Sequence, residues 1–329
     1  VKLRYRPQVT ISHLEGPNIS NILTLFGGTR ILFVHNSLNR NYRSTGILGK
    51  AKKLLAMWLY PKGDTVVGVS KDICDELVHD YGVSKNRITY LNNPVDNANI
   101  HESSTVLYGD WRDELFKRTY LVNVASLTTQ KNHRLLLKIF KSLVAKKRDL
   151  KLVIIGKGNA EHEIREMCNS MGLRISNLNE KDIDSTQVFL LGYQSNPYPL
   201  IRNGKLFVMT SEWEGLPISL LEAMSLETPI VISDCSTAIR QIMLDLNSAD
   251  NPKAVDGAYR TNYGYLIGKR QSFGKVDHVN TWVSAICQLL DDKLHYEGCK
   301  QAVGTKAREY DISNVSKRWY ELLKISNSG

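Results

Sequence analysis

Short, continuous runs of apolar residues alternate along this chain with stretches whose apolar positions recur at helical spacing. The runs Gln8–Ser12, Arg30–Val34, Thr65–Val69 and Arg87–Leu91 predict strands in the first third. Tyr120–Ala125, Leu152–Ile155, Val188–Leu191, Lys205–Met209, Pro229–Ile232 and Tyr263–Ile267 predict six more. Nearly all are apolar throughout rather than alternating, as expected of parallel strands covered on both faces. Lys131–Ala145, Ala160–Met171 and Ile218–Leu226 read as helices between them, and Val279–Leu290, His295–Glu309 and Ile312–Ile325 as helices that close the chain. Strand–helix–strand repetition gives right-handed crossovers and open, doubly wound sheets, so the fold class is α/β.

The alternation lapses between Asn97 and Arg118, a polar stretch of mixed charge. A lapse of this kind marks a domain boundary, and 329 residues are long for one core. The pattern therefore predicts a partial N-terminal Rossmann-like domain over residues 1–110 and a complete one, with closing helices, over 111–329.

Charge sharpens this division. The chain carries a net +10, yet residues 1–63 hold ten basic residues against the single acid Glu15, so the rest is close to neutral. A localised basic region suits an anionic partner such as a membrane surface or a phosphorylated acceptor. No basic–aromatic repeat or binding motif supports nucleic acid. Gly49–Lys62 reads as a basic amphipathic helix with an aromatic end, either lying on anionic lipid or packed on the core with its lysines in water. No run approaches the ~20 apolar residues of a membrane span. Five scattered cysteines without a C-x-x-C pair, and histidines without ligand spacing, argue for reduced thiols and against a metal site or cofactor. The expected location is cytoplasmic, at most peripheral on the inner face of the membrane.

The strongest local signal is Ser211-Glu212-Trp213-Glu214-Gly215-Leu216-Pro217-Ile218-Ser219-Leu220-Leu221-Glu222-Ala223-Met224. A buried strand ends, a glycine-containing loop follows, and Pro217 is expected at the first helical position. A helix N-terminus at the carboxyl end of a parallel strand is where open α/β sheets bind ligands, and its free amides suit phosphate. Glu222 lies ~7–8 Å further along than Glu214. Two carboxylates so separated can each accept hydroxyls at different ends of an extended polyol. Upstream, Val124–Asn132 runs from a strand through a polar loop to Lys131, a cation able to neutralise a diphosphate. Gly156-Lys157-Gly158 follows a further strand and permits close backbone approach. Tyr193 follows Gly192 at another strand end, and His35 ends the run Ile31–Val34.

Glu214-x7-Glu222 within E-G-L-P-x-x-x-x-E-A-M resembles the paired-glutamate motif of the retaining family 4 glycosyltransferases, two-domain enzymes of the GT-B fold. The similarity extends to Lys131-Asn132, Ile154–Gly158, Val188–Gly192 and Pro229–Cys235. It implies two Rossmann-like domains facing a cleft. Glu222 would hold the donor ribose and Glu214 would face the transferred sugar, with Gly215, Leu216 and Pro217 along sugar and diphosphate. Gly156 and Gly158 would approach the nucleotide and Tyr193 would stand near the base, while His35 would contact the sugar near the reacting carbon. The family's arginine five residues before the lysine is Ser126 here, so Lys131 and helix amides act alone or Arg134 compensates. The family's opening strand, glycine-rich loop and helix are not recognisable ahead of Gln8, and Gly27-Gly28 precedes a strand instead of following one. An abbreviated N-terminal domain is therefore expected. The implied activity is retaining transfer of a hexose or N-acetylhexosamine from a UDP-sugar to a glycan or lipid-pyrophosphate-linked acceptor in surface polysaccharide synthesis. The alternatives are a nucleotide-sugar-binding fragment without turnover and a GT-B-fold UDP-sugar epimerase.

Overall fold

The computed structural model describes residues 2–24, 28–43, 46–176, 182–246, 253–269 and 277–327. Gly27 lies outside them. The first sheet contains β1 (Val9–His13), β2 (Thr29–Val34), β3 (Thr65–Gly68) and β4 (Ile88–Tyr90), all parallel and in that spatial order. Each expected strand of this half is present within one or two residues. Between Asn97 and Arg118 the chain forms two short helices, Asn97–Ser103 and Arg112–Leu115, in place of a strand.

The second sheet contains β5 (Tyr120–Val124), β6 (Lys151–Ile155), β7 (Val188–Leu190), β8 (Leu206–Met209), β9 (Ile230–Ser233), β10 (Ala258–Thr261) and β11 (Gly264–Ile267). Their order is β10-β11-β9-β8-β5-β6-β7, parallel except for the antiparallel β10. Six strands were expected here and seven form. The added strand is a sheet edge whose Ala258, Tyr259 and Arg260 face solvent, so it lacks the apolar run that betrays the others. The chain winds outward in both directions from the β5–β8 pair. That pair is the topological switch point, where crossover helices leave on opposite faces and a crevice opens above the strand ends.

Apolar packing joins the halves at two places. A continuous apolar cluster runs from Val69 and Ile73 of the first half through Leu216 and Leu220 to Ile239 and Ile242 of the second. The closing helix Ile312–Asn327 returns to the first sheet, where Val315 and Leu322 pack on Ile31, Phe33, Val67 and Leu91. Trp319 stacks on Phe33, with ring centroids 4.7 Å apart and planes 11° apart. A Trp319→Ala substitution should cost about 2 kcal/mol through lost aromatic burial. A lower urea midpoint measured by circular dichroism checks this, and an unchanged midpoint would mean the helix is not held by this stack.

Candidate active site

At the switch point, the loops leaving β5 and β8 are tied together. After β5 the chain makes a tight turn at Thr129–Lys131, and Asn132 adopts a left-handed backbone (φ 49°). Asparagine tolerates that conformation better than most residues. Its side chain also caps the helix His133–Val144 by accepting from the Leu135 amide at 3.2 Å. Lys131 is thereby aimed across the crevice, where its Nζ meets Glu214 Oε1 at 2.5 Å. The pair is nearly sealed from water, with side-chain exposures of 16% for Lys131 and 4% for Glu214. Gln130 completes the link: its Nε2 donates to the Trp213 carbonyl at 2.7 Å, and its carbonyl accepts from the Glu212 amide at 2.8 Å.

Pro217 sits one residue outside the helix Ile218–Ser225, as its cap with extended ψ 125°, and not at the first helical position as the sequence suggested. Extended backbone there carries the chain straight from the loop into the helix. Four residues beyond the helix start, Glu222 accepts a hydrogen bond from the Tyr198 hydroxyl at 3.2 Å. Burial pushes the Glu222 carboxyl above its usual range, against the opposing effect of the Tyr198 donor. Glu214 and Glu222 are thus held by different partners, one by a cation and one by a phenol.

Gly215 lies against the first half with no room for a side chain. A Cβ there would lie 2.2 Å from the His35 carbonyl oxygen, so no larger residue fits without moving the sheets apart. Around it, Asn93 Nδ2 donates to the Leu216 carbonyl at 2.9 Å, Ser236 Oγ donates to the Gly215 carbonyl at 3.0 Å and Arg40 Nη1 donates to the Glu212 carbonyl at 3.0 Å. Gly215, Leu216 and Pro217 are consequently buried between the domains. His35 follows β2, stands at the cleft and bonds through Nε2 to His13 Nδ1 at 3.0 Å. Burial lowers the pKa of His35, and the neighbouring His13 adds to that effect, so the ring favours its neutral form.

The remaining expected residues line the strand ends on the β6–β7 side. Gly156 adopts φ 148°, and a Cβ on it would meet the Ala125 carbonyl at 1.9 Å, while one on Gly158 would meet the Leu127 carbonyl at 2.2 Å. The approach these glycines permit is to the chain's own loop after β5, which holds Ser126 exposed at the rim. Tyr193 is 67% exposed beyond β7, open on its faces for stacking. Arg134, at the start of the following helix, pairs with Glu163 at 2.8 Å on the exposed surface. Arg40 reaches across the cleft to the Glu212 carbonyl in the loop after β8, and sequence reasoning missed it together with Gln130, Tyr198, Asn93 and His13. Of these, Arg40 was within reach of the sequence, because the basic surplus of residues 1–63 contains it.

Residues 111–249 match the family described as Glycosyl transferases group 1, and residues 2–99 match Glycosyltransferase Family 4. The chain therefore joins a family 4-like domain to a group 1-like domain in the GT-B fold. An uncharacterized glycosyltransferase of Methanocaldococcus jannaschii is 24% identical over 97% of the chain and 80% of its own length. The N-acetylgalactosamine-N,N'-diacetylbacillosaminyl-diphospho-undecaprenol 4-alpha-N-acetylgalactosaminyltransferase of Campylobacter jejuni is 25% identical over 92% of the chain and 73% of its length. Among solved structures, a mutant of S. aureus TarM in complex with fondaparinux, alpha-GlcNAc-glycerol and UDP superimposes with a TM-score of 0.65 at 19% identity. That likeness concerns the fold, covering 90% of this chain and 51% of the TarM chain, so the present chain spans about half the length of that protein.

In this GT-B protein the Lys131–Glu214 pair sets a measurable constraint. Removing one partner leaves a buried charge uncompensated, which costs roughly 3 kcal/mol, whereas removing both is far milder. Lys131→Met should therefore lower unfolding stability by about that amount, and Lys131→Met/Glu214→Gln should recover most of it. Denaturant titrations of Lys131→Met, Glu214→Gln and the double variant check this; additive losses would show that the two residues do not form a coupled buried pair.

Proposed function

We propose that the chain transfers a hexose or N-acetylhexosamine from a UDP-sugar to a glycan or lipid-pyrophosphate-linked acceptor, with retention of configuration, in bacterial-type surface polysaccharide synthesis. The observation that carries this is the arrangement at the β5–β8 switch point, with Lys131–Glu214 at one place and Glu222–Tyr198 at another along one helix-and-loop segment. In this reading Glu222 accepts the ribose hydroxyls and Tyr193 stacks on the base. Gly215, Leu216 and Pro217 lie along the sugar and diphosphate, Gly156 and Gly158 approach the nucleotide, and Ser126 stands where the family's diphosphate-clamping arginine would be. An arriving diphosphate competes with Glu214 for Lys131, which releases the carboxylate to accept hydroxyls of the sugar while the lysine stabilises the charge that develops on the leaving group. His35, neutral, contacts the sugar from the opposite domain. Retention rests on the likeness of the glutamate pair to that of the retaining enzymes.

The acceptor side is supported by the first domain. Arg40, Arg43, Lys50 and Lys53, with Glu76 and Asp80, line a cavity of about 790 Å³. The helix Gly46–Leu59 forms one wall. It buries Gly49, Ala56 and Leu59, while Ile47, Leu48, Leu54, Leu55, Met57 and Trp58 face solvent. Lys62 lies over the Trp58 ring at 3.0 Å. Exposed apolar residues flanked by lysines favour peripheral contact with an anionic membrane, which fits an acceptor carried on lipid pyrophosphate, as the name of the Campylobacter relative describes for that enzyme. No helix among the described residues is long and apolar enough to cross a membrane.

A thermal-shift titration tests the donor assignment. UDP should raise the melting temperature of the wild type, because a ligand that binds the native state stabilises it, and Glu222→Ala should abolish the response. The ligand-free behaviour of Glu222→Gln provides a second readout. A carboxyl whose folded pKa lies above its unfolded value binds its proton more tightly when folded, so the native state loses stability as pH rises through the folded value. Glu222→Gln should therefore melt higher than wild type at neutral pH, and the gain should vanish below pH ~4, where both states are protonated. A full UDP response in Glu222→Ala contradicts the ribose assignment.

A further inference from the structure

The reading above uses His35 and leaves His13 without a task. The register of β1 on β2 sets His13 directly beside Phe33, and His35 lies two residues beyond Phe33. Side chains two apart along an extended chain share a face, so the three rings form a row. His13 stacks on Phe33 with centroids 4.6 Å apart and on His35 with centroids 5.2 Å apart, and Phe33 stacks in turn on Trp319 of the closing helix. The row leads from the packed back of the first domain to the cleft.

The contact between the two imidazoles is more than stacking. His13 Nδ1 and His35 Nε2 are 3.0 Å apart. Two N–H groups cannot face each other at that separation and two lone pairs repel, so the pair holds one proton between these atoms. Whichever ring donates, the tautomer of each is locked to that of the other. Both rings are drawn toward their neutral forms, His13 by burial and His35 by burial and by His13 itself, while Asn93 favours the protonated form of His35. Among the described residues, burial, the neighbouring imidazole and Asn93 are what act on these rings.

We propose that His13 is a positioning residue for His35, holding the ring in one orientation and one tautomer toward the sugar site. The catalytic consequence rests on His35 acting at that site, whereas the ring pair itself rests on geometry. Because β1 and β2 are parallel neighbours, the orientation of His35 becomes a property of the sheet, not of a free side chain at a strand end.

Two substitutions separate the hydrogen bond from the stack. His13→Phe keeps a ring on Phe33 and removes Nδ1, whereas His13→Asn places an amide near the position of Nδ1 and removes the ring. In the full chain labelled with ¹⁵N-histidine, His35 is identified by the signals that disappear in His35→Gln. Wild type and His13→Asn should show His35 as a single neutral tautomer. His13→Phe should show a mixture of tautomers, with the titration midpoint moved up because a neighbour that can become cationic is gone. Release of UDP from UDP-sugars should fall about ten-fold in kcat for His13→Phe with KM unchanged, and recover to within about two-fold in His13→Asn. An unchanged tautomer and midpoint in His13→Phe overturns the proposal, as does an altered tautomer with wild-type kcat. If the wild type releases no UDP, the transferase reading fails, and the ring measurement still decides the pairing.

Discussion

A buried cation and a buried carboxylate, contributed by loops 83 residues apart in sequence, hold the mouth of the second sheet in shape. Lys131 and Glu214 leave the ends of adjacent strands at the one place where the winding of the sheet reverses. Each would be costly alone in that setting, and together they satisfy each other only while β5 and β8 remain in register. The rest follows from this tie. It draws the loop of Gly215 to Pro217 forward until it meets the His35 carbonyl, which brings the first domain into contact and closes a cleft. It also fixes the start of the helix that carries Glu222. In the proposed function the same pair exchanges partners, the diphosphate taking Lys131 and freeing Glu214 for hydroxyls.

The architecture was largely legible in the sequence because buried parallel strands leave an unmistakable apolar signature. All ten expected strands form. β10 left no such trace, since an edge strand with three solvent-facing residues needs no apolar run. The glutamate spacing and the lysine were legible as motifs, and what they touch was not. Tyr198 beside Glu222, Gln130 beside Trp213 and Asn93 beside Leu216 are tertiary contacts between separate segments, invisible to local pattern. Proximity along the chain likewise said nothing of Glu163, which pairs with Arg134. Gly156 and Gly158 teach a related lesson. Their small size serves a contact between two loops of the protein, whatever else passes over them.

The first domain contributes shape and charge rather than carboxylates. Arg40 crosses the cleft to the Glu212 carbonyl, and the Asp72 carboxylate accepts the Thr237 amide at 2.6 Å, so the two sheets are tied by polar bonds at both sides of Gly215. Its basic, apolar-faced helix lines one cavity together with Arg40. Basic charge and exposed apolar surface therefore sit on one domain, while the Lys131–Glu214 and Glu222–Tyr198 pairs sit on the other.

The central claim is that a nucleotide sugar occupies the crevice above β5 and β8. The most direct measurement is a crystal structure with a UDP-sugar bound. The account predicts ribose oxygens within hydrogen-bonding distance of Glu222, the diphosphate against Lys131, and Glu214 turned from the lysine to the sugar. A nucleotide lodged elsewhere, with the Lys131–Glu214 pair intact, would contradict it.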